Sequence, residues 1–393
     1  MHRTSTRASA LVVLMLLSLS MLAGCGAHAF APKDPDLVID LRWIKNYPRE
    51  TPDEVNTGLY WALSFLGARL PADAGILSWH GQRVSVDLDA AQVLDSTRPA
   101  WKQYLRALKS SDEYRHMGGI DIGRFVLLAL CSPNQYYRLT GASASLQEFR
   151  ATHAPGSQHM AIVQSGVSHG NRLIDIGPGT DIRRMTFVAY EGRGSIQDRT
   201  FSPAEVETLE FMENGQLRFG LYDPQGRLMR GTDPELTAAG KPSKCLWCHE
   251  IRLQPPFRNV TNLDGYLSTR EFAEVVKTAM QTVDEYRRTL KSKVRFSRLD
   301  DHSYAEYLYQ AFAEPSARRL ALEWNLPLEQ VNRLLRQRQL PRHGDHELAR
   351  LGGDFVGEQL YNRTDVDTLA PYSVIQVPSS SRETSTYEPD LLH

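Results

Sequence analysis

The residues of this sequence best suited to chemistry lie together in Lys244-Cys245-Leu246-Trp247-Cys248-His249-Glu250. Two cysteines are three residues apart, and a histidine directly follows the second one. Each thiol can add to one vinyl group of a porphyrin, and the two-residue spacer lets one turn of backbone reach both groups. The adjacent imidazole can then bind the iron from the proximal side. The motif predicts covalent attachment of one haem c through Cys245 and Cys248, with His249 as iron ligand.

The N-terminus predicts export. Arg3 and Arg7 precede a short apolar run, residues 10–17, and small residues follow in Leu22-Ala23-Gly24-Cys25. A basic segment, an apolar segment and small residues at the cleavage site form a secretory signal peptide, here residues 1–24. The apolar run is shorter than the ~20 residues that a membrane-spanning helix needs. We therefore expect removal of this segment.

The two motifs together resemble those of a bacterial monohaem c-type cytochrome made as a lipoprotein, and the resemblance is limited to them. Leu22-Ala23-Gly24-Cys25 is similar to a bacterial lipobox, which implies that Cys25 is acylated and anchors the protein to a membrane. The resemblance places the protein in the cell envelope, facing the periplasm, and Gly26 implies the outer membrane where the cell has one. It also implies that a backbone carbonyl before Pro255 accepts the second N–H of His249.

Composition is consistent with a folded protein that does not bind nucleic acid. The chain has 45 Lys and Arg against 46 Asp and Glu, so no excess of positive charge favours a polyanion as partner. Hydrophobic residues make up 41%, which is enough for a buried core. Of the four cysteines, only Cys131 has neither lipid nor haem assigned to it. It ends the apolar run of residues 125–131, which predicts a buried side chain and no disulfide framework.

The surrounding patterns predict an α+β protein. Thr51-Pro52-Asp53-Glu54 is typical of a helix start with a capping box. Alternating apolar residues between positions 160 and 222 predict an antiparallel sheet or small sandwich, with a hairpin at Asn214-Gly215. Helical spacing returns from Ser268 to Leu290, and Asp301 can cap a further helix. The predicted organisation is a signal peptide at 1–24, a tether at 25–48, a mainly helical domain at 49–155, an antiparallel β domain at 156–232, a helical haem c region at 233–363 and an extended or disordered tail at 364–393.

The distal iron ligand is less well defined by the sequence. Met280 is the only methionine after His249, but it follows the motif closely and lies in a predicted helix. His302 lies at a predicted helix start, where the backbone can orient its side chain. His302 or Met280 is therefore the expected distal ligand, and the upstream pairs His159-Met160 and His116-Met117 stay open. Methionine or histidine there would give a closed centre for electron transfer.

Two other classes of function stay open. A haem c enzyme or a gas or redox sensor would have an open distal site, although no His–Arg pair marks one. Alternatively, Cys245, Cys248 and His249 form a redox dithiol or part of a zinc site, and the chain is an exported lipoprotein without haem. A zinc site normally has a fourth ligand, and no second Cys-x-x-Cys is present. The favoured hypothesis is a membrane-anchored carrier of single electrons, whose redox partner proteins the sequence does not identify.

Overall fold

The computed structural model describes residues 34–154, 156, 158–163, 167–177, 181–237, 240, 242–249, 262–338, 359–378 and 391. The predicted signal peptide, Cys25 and residues 25–33 of the predicted tether lie outside these ranges. Described residues from Pro35 onward form one compact unit. None of the described helices is both long and apolar enough to cross a membrane.

Helices and strands confirm the predicted α+β class within this part of the chain. The α-helices are α1 (Pro52–Phe65), α2 (Arg98–Lys109), α3 (Asp112–Met117), α4 (Ile122–Cys131), α5 (Pro133–Thr140), α6 (Leu146–Thr152), α7 (Pro242–His249), α8 (Thr269–Thr289), α9 (Ser303–Ala313), α10 (Ala317–Trp324), α11 (Leu328–Gln337) and α12 (Arg363–Val366). The strands are β1 (Val38–Arg42), β2 (Leu77–His80), β3 (Arg83–Asp87), β4 (Ile120–Asp121), β5 (Gln158–Ile162), β6 (Arg172–Ile176), β7 (Thr186–Arg193), β8 (Ser202–Phe211) and β9 (Leu217–Tyr222).

The strands form two sheets. A four-stranded sheet in the order β2-β3-β1-β4 lies among the N-terminal helices. Its β4 strand, parallel to β1, has only two residues and leaves no alternation in the sequence. The second sheet is an antiparallel meander in the order β5-β6-β7-β8-β9, as the alternation predicts. Its β8–β9 turn contains Asn214-Gly215, and Gly215 has the positive φ, 79°, that such a turn requires.

One face of the five-stranded sheet belongs to the main core. Apolar residues of this face, including Phe187, Leu209 and Phe219, share one hydrophobic cluster with residues of α1, α4, α8 and α9. The opposite face packs against α6 through Leu146 and Phe149. The helical and β regions of the sequence are therefore joined by a common core.

Local signals explain where the two long helices start. Thr51 and Glu54 form the predicted capping box of α1, and Ser268 and Glu271 form another at the start of α8. The prediction that Asp301 caps a helix is wrong, because Leu299–His302 is a 3-10 turn that leads directly into α9. Asp301 forms ion pairs with nearby arginines there.

Helix α9 packs tightly between α1 and α4, and two glycines make this approach possible. A Cβ atom on Gly58 of α1 would lie 2.7 Å from the Tyr304 carbonyl oxygen. One on Gly123 of α4 would lie 2.6 Å from the Leu308 carbonyl oxygen and 2.2 Å from Phe312 Cβ. Because backbone atoms limit both spaces, a larger residue requires the helices to separate.

A network of buried ion pairs joins the C-terminal segment to these helices. Arg363 of α12 binds Glu323 of α10 through two contacts of 2.8 Å. Arg124 of α4 lies 3.0 Å from Asp367 and 2.7 Å from Glu113. All five side chains are buried.

Phe312 of α9 lies at the centre of this network. The guanidinium carbons of Arg124, Arg319 and Arg363 lie 4.8, 5.7 and 3.7 Å from its ring centroid. These cation–π contacts let three buried cations share one apolar surface. Arg319 is paired with Asp121 at 2.8 Å.

The structure differs from the predicted extended or disordered tail over 364–393. Helix α12 and a 3-10 turn, Asp367–Leu369, occupy its start, and Val377 is fully buried. Charged residues anchor this segment, so apolar periodicity could not detect it. Residues 379–390 and 392–393 lie outside the described residues.

We predict that Gly123→Ala destabilises the protein by about 1–3 kcal/mol, the usual range for an overpacked core. Alanine in a helix is intrinsically more favourable than glycine, so any loss reflects the contact with α9. Denaturant unfolding would measure it. Gly75→Ala is the control, because no atom lies within 4 Å of the added Cβ. Equal stability of both variants would contradict the proposed close packing.

Candidate functional site

The predicted haem-attachment motif lies on α7. Residues three and four positions apart share one face of an α-helix. Cys245 therefore lies on the same face as Cys248 and His249, as attachment to one planar group requires. Neither cysteine forms a disulfide, and Cys248 is exposed while Cys245 is half-buried. The spacing of these residues in the sequence thus places all three on one helix face.

Helix α7 packs against β9, α4 and α5. Leu246, only 1% exposed, inserts into the main core, and Cys245 packs at the edge of that core. The His249 ring contacts Phe219 of β9, with ring centroids 5.7 Å apart and planes tilted by 38°. The sheet therefore fixes the position of the predicted iron ligand.

The electrostatic surroundings keep His249 neutral. Burial and, to a smaller extent, the positive charge of Arg172 lower the pKa of His249 to about 4. A neutral imidazole is the form that binds a metal. Its Nδ1 atom is buried and has no hydrogen-bond partner among the described residues. The carbonyl expected to accept from His249, in the loop before Pro255, belongs to residues 250–261, which are not described.

A cluster of charged residues, called here the Arg172 cluster, lies beside the motif helix. It consists of Arg172 on β6, Glu191 on β7 and Glu205 and Glu207 on β8. Arg172 is opposite Glu191, and Glu191 is opposite Glu205, so their side chains share the sheet face that carries Phe219. Arg172 forms ion pairs with both Glu191 and Glu207. Arg172 and Glu207 also act electrostatically on the Cys245 thiol, whose pKa is raised mainly by burial.

The Arg172 cluster has more negative charge than its arginine can balance. Glu191 and Glu205 are 0% and 1% exposed. Burial, followed by repulsion from Glu207, raises the pKa of Glu191 to about 7 despite the opposing charge of Arg172. Burial also raises the pKa of Glu205 to about 7, against a hydrogen bond from the Asp233 N–H. One oxygen of Glu205 and one of Glu207 are buried without a hydrogen-bond partner in the described part of the chain.

The two expected distal ligands lie on other elements. His302 belongs to the 3-10 turn before α9, its Nδ1 lies 2.6 Å from the Leu299 carbonyl oxygen, and its ring packs edge-on against Trp61. Met280 is a half-buried residue of α8 at the edge of the main core. The contacts of α7 with β9, α4 and α5 do not test either ligand. Both therefore stay predictions.

Two upstream candidates for the distal iron ligand, His159 and Met160, lie on opposite faces of β5. Met160 is 1% exposed and lies on the sheet face that carries Phe219. His159 points to the opposite face, where its Nδ1 lies 2.5 Å from Asp175. Of these two neighbours, only Met160 points to the sheet face against which α7 packs. Cys131 is fully buried, as predicted.

Sequence reasoning missed the Arg172 cluster. The only signal was a pair of glutamates at alternate positions of a predicted strand, Glu205 and Glu207, flanking the apolar Val206. Which strand face is buried depends on packing that the sequence does not specify. The partners Arg172 and Glu191 come from two other strands.

Two open clefts lie away from the motif helix. One, of about 690 Å³, lies between the β8–β9 turn and the end of α8, and the other, of about 810 Å³, lies beside α10. Neither is lined by a residue of the motif or of the Arg172 cluster. Within the described ranges, no group of three or more His, Cys, Asp or Glu side chains is arranged to hold a metal ion. A haem iron takes four ligands from its porphyrin and does not need such a group.

Comparisons of the chain with protein-family models, curated proteins and solved structures find no match. The residues on α7 are nevertheless suited to haem c. The two thiols lie on one helix face with a neutral imidazole, and the buried Nδ1 of His249 still needs an acceptor. The Phe219 ring of β9 gives the imidazole an apolar contact on one side.

We predict that Glu191 makes the protein less stable as pH rises. A folded-state pKa near 7, above the usual 4.5, means that the folded protein binds more protons than the unfolded chain between these values. Stability from this group is therefore complete below pH 4.5 and lost as pH rises through 7. Relative to Glu191→Gln, we expect the protein to lose on the order of 3 kcal/mol between pH 4.5 and 8.

Denaturant unfolding at several pH values would measure this difference. Glu285→Gln is the control, because Glu285 is exposed on α8. Its difference from the unsubstituted protein should stay nearly constant with pH. If the Glu191→Gln difference is equally constant, the carboxyl group is not held in the environment described above.

Proposed function

We propose that this chain is a membrane-anchored, monohaem c-type cytochrome that carries single electrons in the cell envelope. The observation that carries the proposal is the placement of Cys245, Cys248 and neutral His249 on one face of α7, against the buried face of a sheet. An export signal with a lipobox-like Cys25 agrees with it, because haem is attached to this motif outside the cytoplasmic membrane.

In this proposal the protein's own groups have distinct roles. Cys245 and Cys248 would bind haem through thioether bonds, and His249 would ligate its iron. Phe219 packs against the imidazole, and burial, with a smaller contribution from the positive charge of Arg172, lowers the pKa of His249 and keeps it unprotonated. Haem bound there supplies a metal centre that gains and loses one electron.

Haem attachment can be tested directly. After expression with a system that attaches haem c, we expect one haem per chain that resists acid–acetone extraction and gives a sharp reduced α-band. Cys245→Ala with Cys248→Ala should abolish covalent haem, because no thioether bond can form. Mass spectrometry and the absorption spectrum would measure both effects.

Cys131→Ala is the matched control for this test. Cys131 is buried in α4 and lies outside the motif, so its loss should leave haem attachment intact. A colourless, unmodified chain after correct export and maturation would refute the cytochrome proposal. A dithiol or zinc site would then be the remaining interpretation of the motif.

Lipid attachment at Cys25 has its own test. Cells grown with a fatty-acid analogue should label the unsubstituted protein, and Cys25→Ser should lose all of this label. The Cys131→Ala variant should keep it. One or more acyl chains add enough buried apolar surface to hold a protein at a membrane. Label that persists in Cys25→Ser would exclude this residue as the acylation site.

The distal ligand separates electron transfer from catalysis. His302 or Met280 as ligand would close the iron, whereas an open site would support a haem enzyme or gas sensor. Binding of carbon monoxide to the reduced protein distinguishes these alternatives. We favour electron transfer, because nothing in the described residues near α7 forms a distal His–Arg pair.

A further inference from the structure

We propose that Glu191, together with Glu205, takes up a proton when the haem on α7 gains an electron. The inference rests on the proposed function and deepens it from simple electron transfer to proton-coupled electron transfer. The Arg172 cluster is the feature that carries it. Its carboxylates are buried in the same sheet face against which the motif helix packs.

The Arg172 cluster contains more carboxylates than cations. Three carboxylates share this sheet face with one guanidinium, and Arg172 forms ion pairs with two of them, Glu191 and Glu207. Glu191 and Glu205 occupy opposite positions on β7 and β8, so they share a site with few counter-charges. Buried carboxyl groups that cannot all be neutralised by a cation hold a proton instead. The cluster is thus built to bind and release a proton.

The Arg172 cluster is linked electrostatically to the residues of the motif. Arg172 acts electrostatically on both Cys245 and His249, and Glu207 acts on Cys245. The same Arg172 contacts Glu191. A change of one unit of charge at a group held by Cys245 and His249 therefore occurs beside the network that sets the protonation of Glu191.

Charged and polar groups on several elements lie around Glu191. On β6 and just before it lie Arg172 and Ser168, and the Ser168 hydroxyl favours the ionised carboxylate. Beyond Glu205, Asp233 approaches through its backbone N–H, and Asp233 itself lies 3.7 Å from Arg193. Among the residues that the structure describes, the charged groups around Glu191 include Arg172, Glu205 and Glu207, and Asp233, Cys245 and His249 lie one electrostatic interaction further away.

The proposed step takes up one electron and one proton. A one-electron donor protein, as in the proposed function, supplies the electron, and solvent supplies the proton. One O–H bond forms on a Glu191 or Glu205 carboxylate, and no bond in the protein breaks. Reduction removes one positive charge from the site, which makes the neutral carboxylic acid more favourable. Oxidation reverses the step and returns the proton.

The test is the pH dependence of the midpoint potential of the haem-loaded, full-length protein. For a one-electron couple, a tenfold change in proton activity corresponds to about 59 mV. Spectroelectrochemical titration between pH 5.5 and 8.5 should show a potential that falls with rising pH and approaches this slope near neutrality. Glu191→Gln with Glu205→Gln should reduce the slope to less than half, whereas Glu285→Gln should leave it unchanged.

Haem propionates can also bind protons. The variants distinguish proton uptake by the propionates from proton uptake by the two glutamates. A slope that is the same in the double variant would assign the protons to the propionates and overturn the proposal. Glu191→Asp keeps a carboxyl group and should retain the slope.

An infrared redox-difference spectrum of the unsubstituted protein provides a second measurement if the double variant does not fold. It should show the C=O band of a protonated carboxyl group appearing on reduction, and Glu191→Gln should weaken it. Absence of any such band would also overturn the proposal. Failure of the proposed function is a different result, because the matured protein would then carry no haem and give no potential to measure.

Discussion

Burial of one sheet face against the helices is the constraint on which the candidate site depends. Helix α7 has only eight residues, and a helix of this length is not stable alone in water. Its contacts with β9, α4 and α5, and the insertion of Leu246 into the core, give it a fixed place. The orientation of Cys245 and His249 is therefore a property of the whole fold.

Buried charges occur in two contrasting settings. Around Phe312, three arginines meet four carboxylates, each in a close ion pair, and removal of one partner of such a buried pair is usually strongly destabilising. The Arg172 cluster has one arginine for three carboxylates. The first setting explains how α12 is held. The Arg172 cluster leaves negative charge that a bound proton can balance. For this reason we propose that it takes part in proton uptake.

The sequence allows prediction of those features that depend on neighbouring residues. Capping boxes at Thr51 and Ser268 locate two helices, and the period of two locates the five-stranded sheet. Long-range pairing escapes such reasoning. The two-residue β4, the anchoring of the tail by Arg363 and the assembly of the Arg172 cluster all require partners far apart in the chain. The motif predicts the chemistry of His249, but its contact with Phe219 depends on the position of β9.

The burial of Cys131 affects how the protein can mature. If the chain is exported and Cys25 is acylated, as proposed, the three remaining thiols could form three different disulfides, and two of these would join Cys131 to a motif cysteine. Cys131 is fully enclosed at the end of α4, whereas Cys248 is exposed. Burial of Cys131 in the folded core therefore separates it from the motif cysteines and disfavours a disulfide between them.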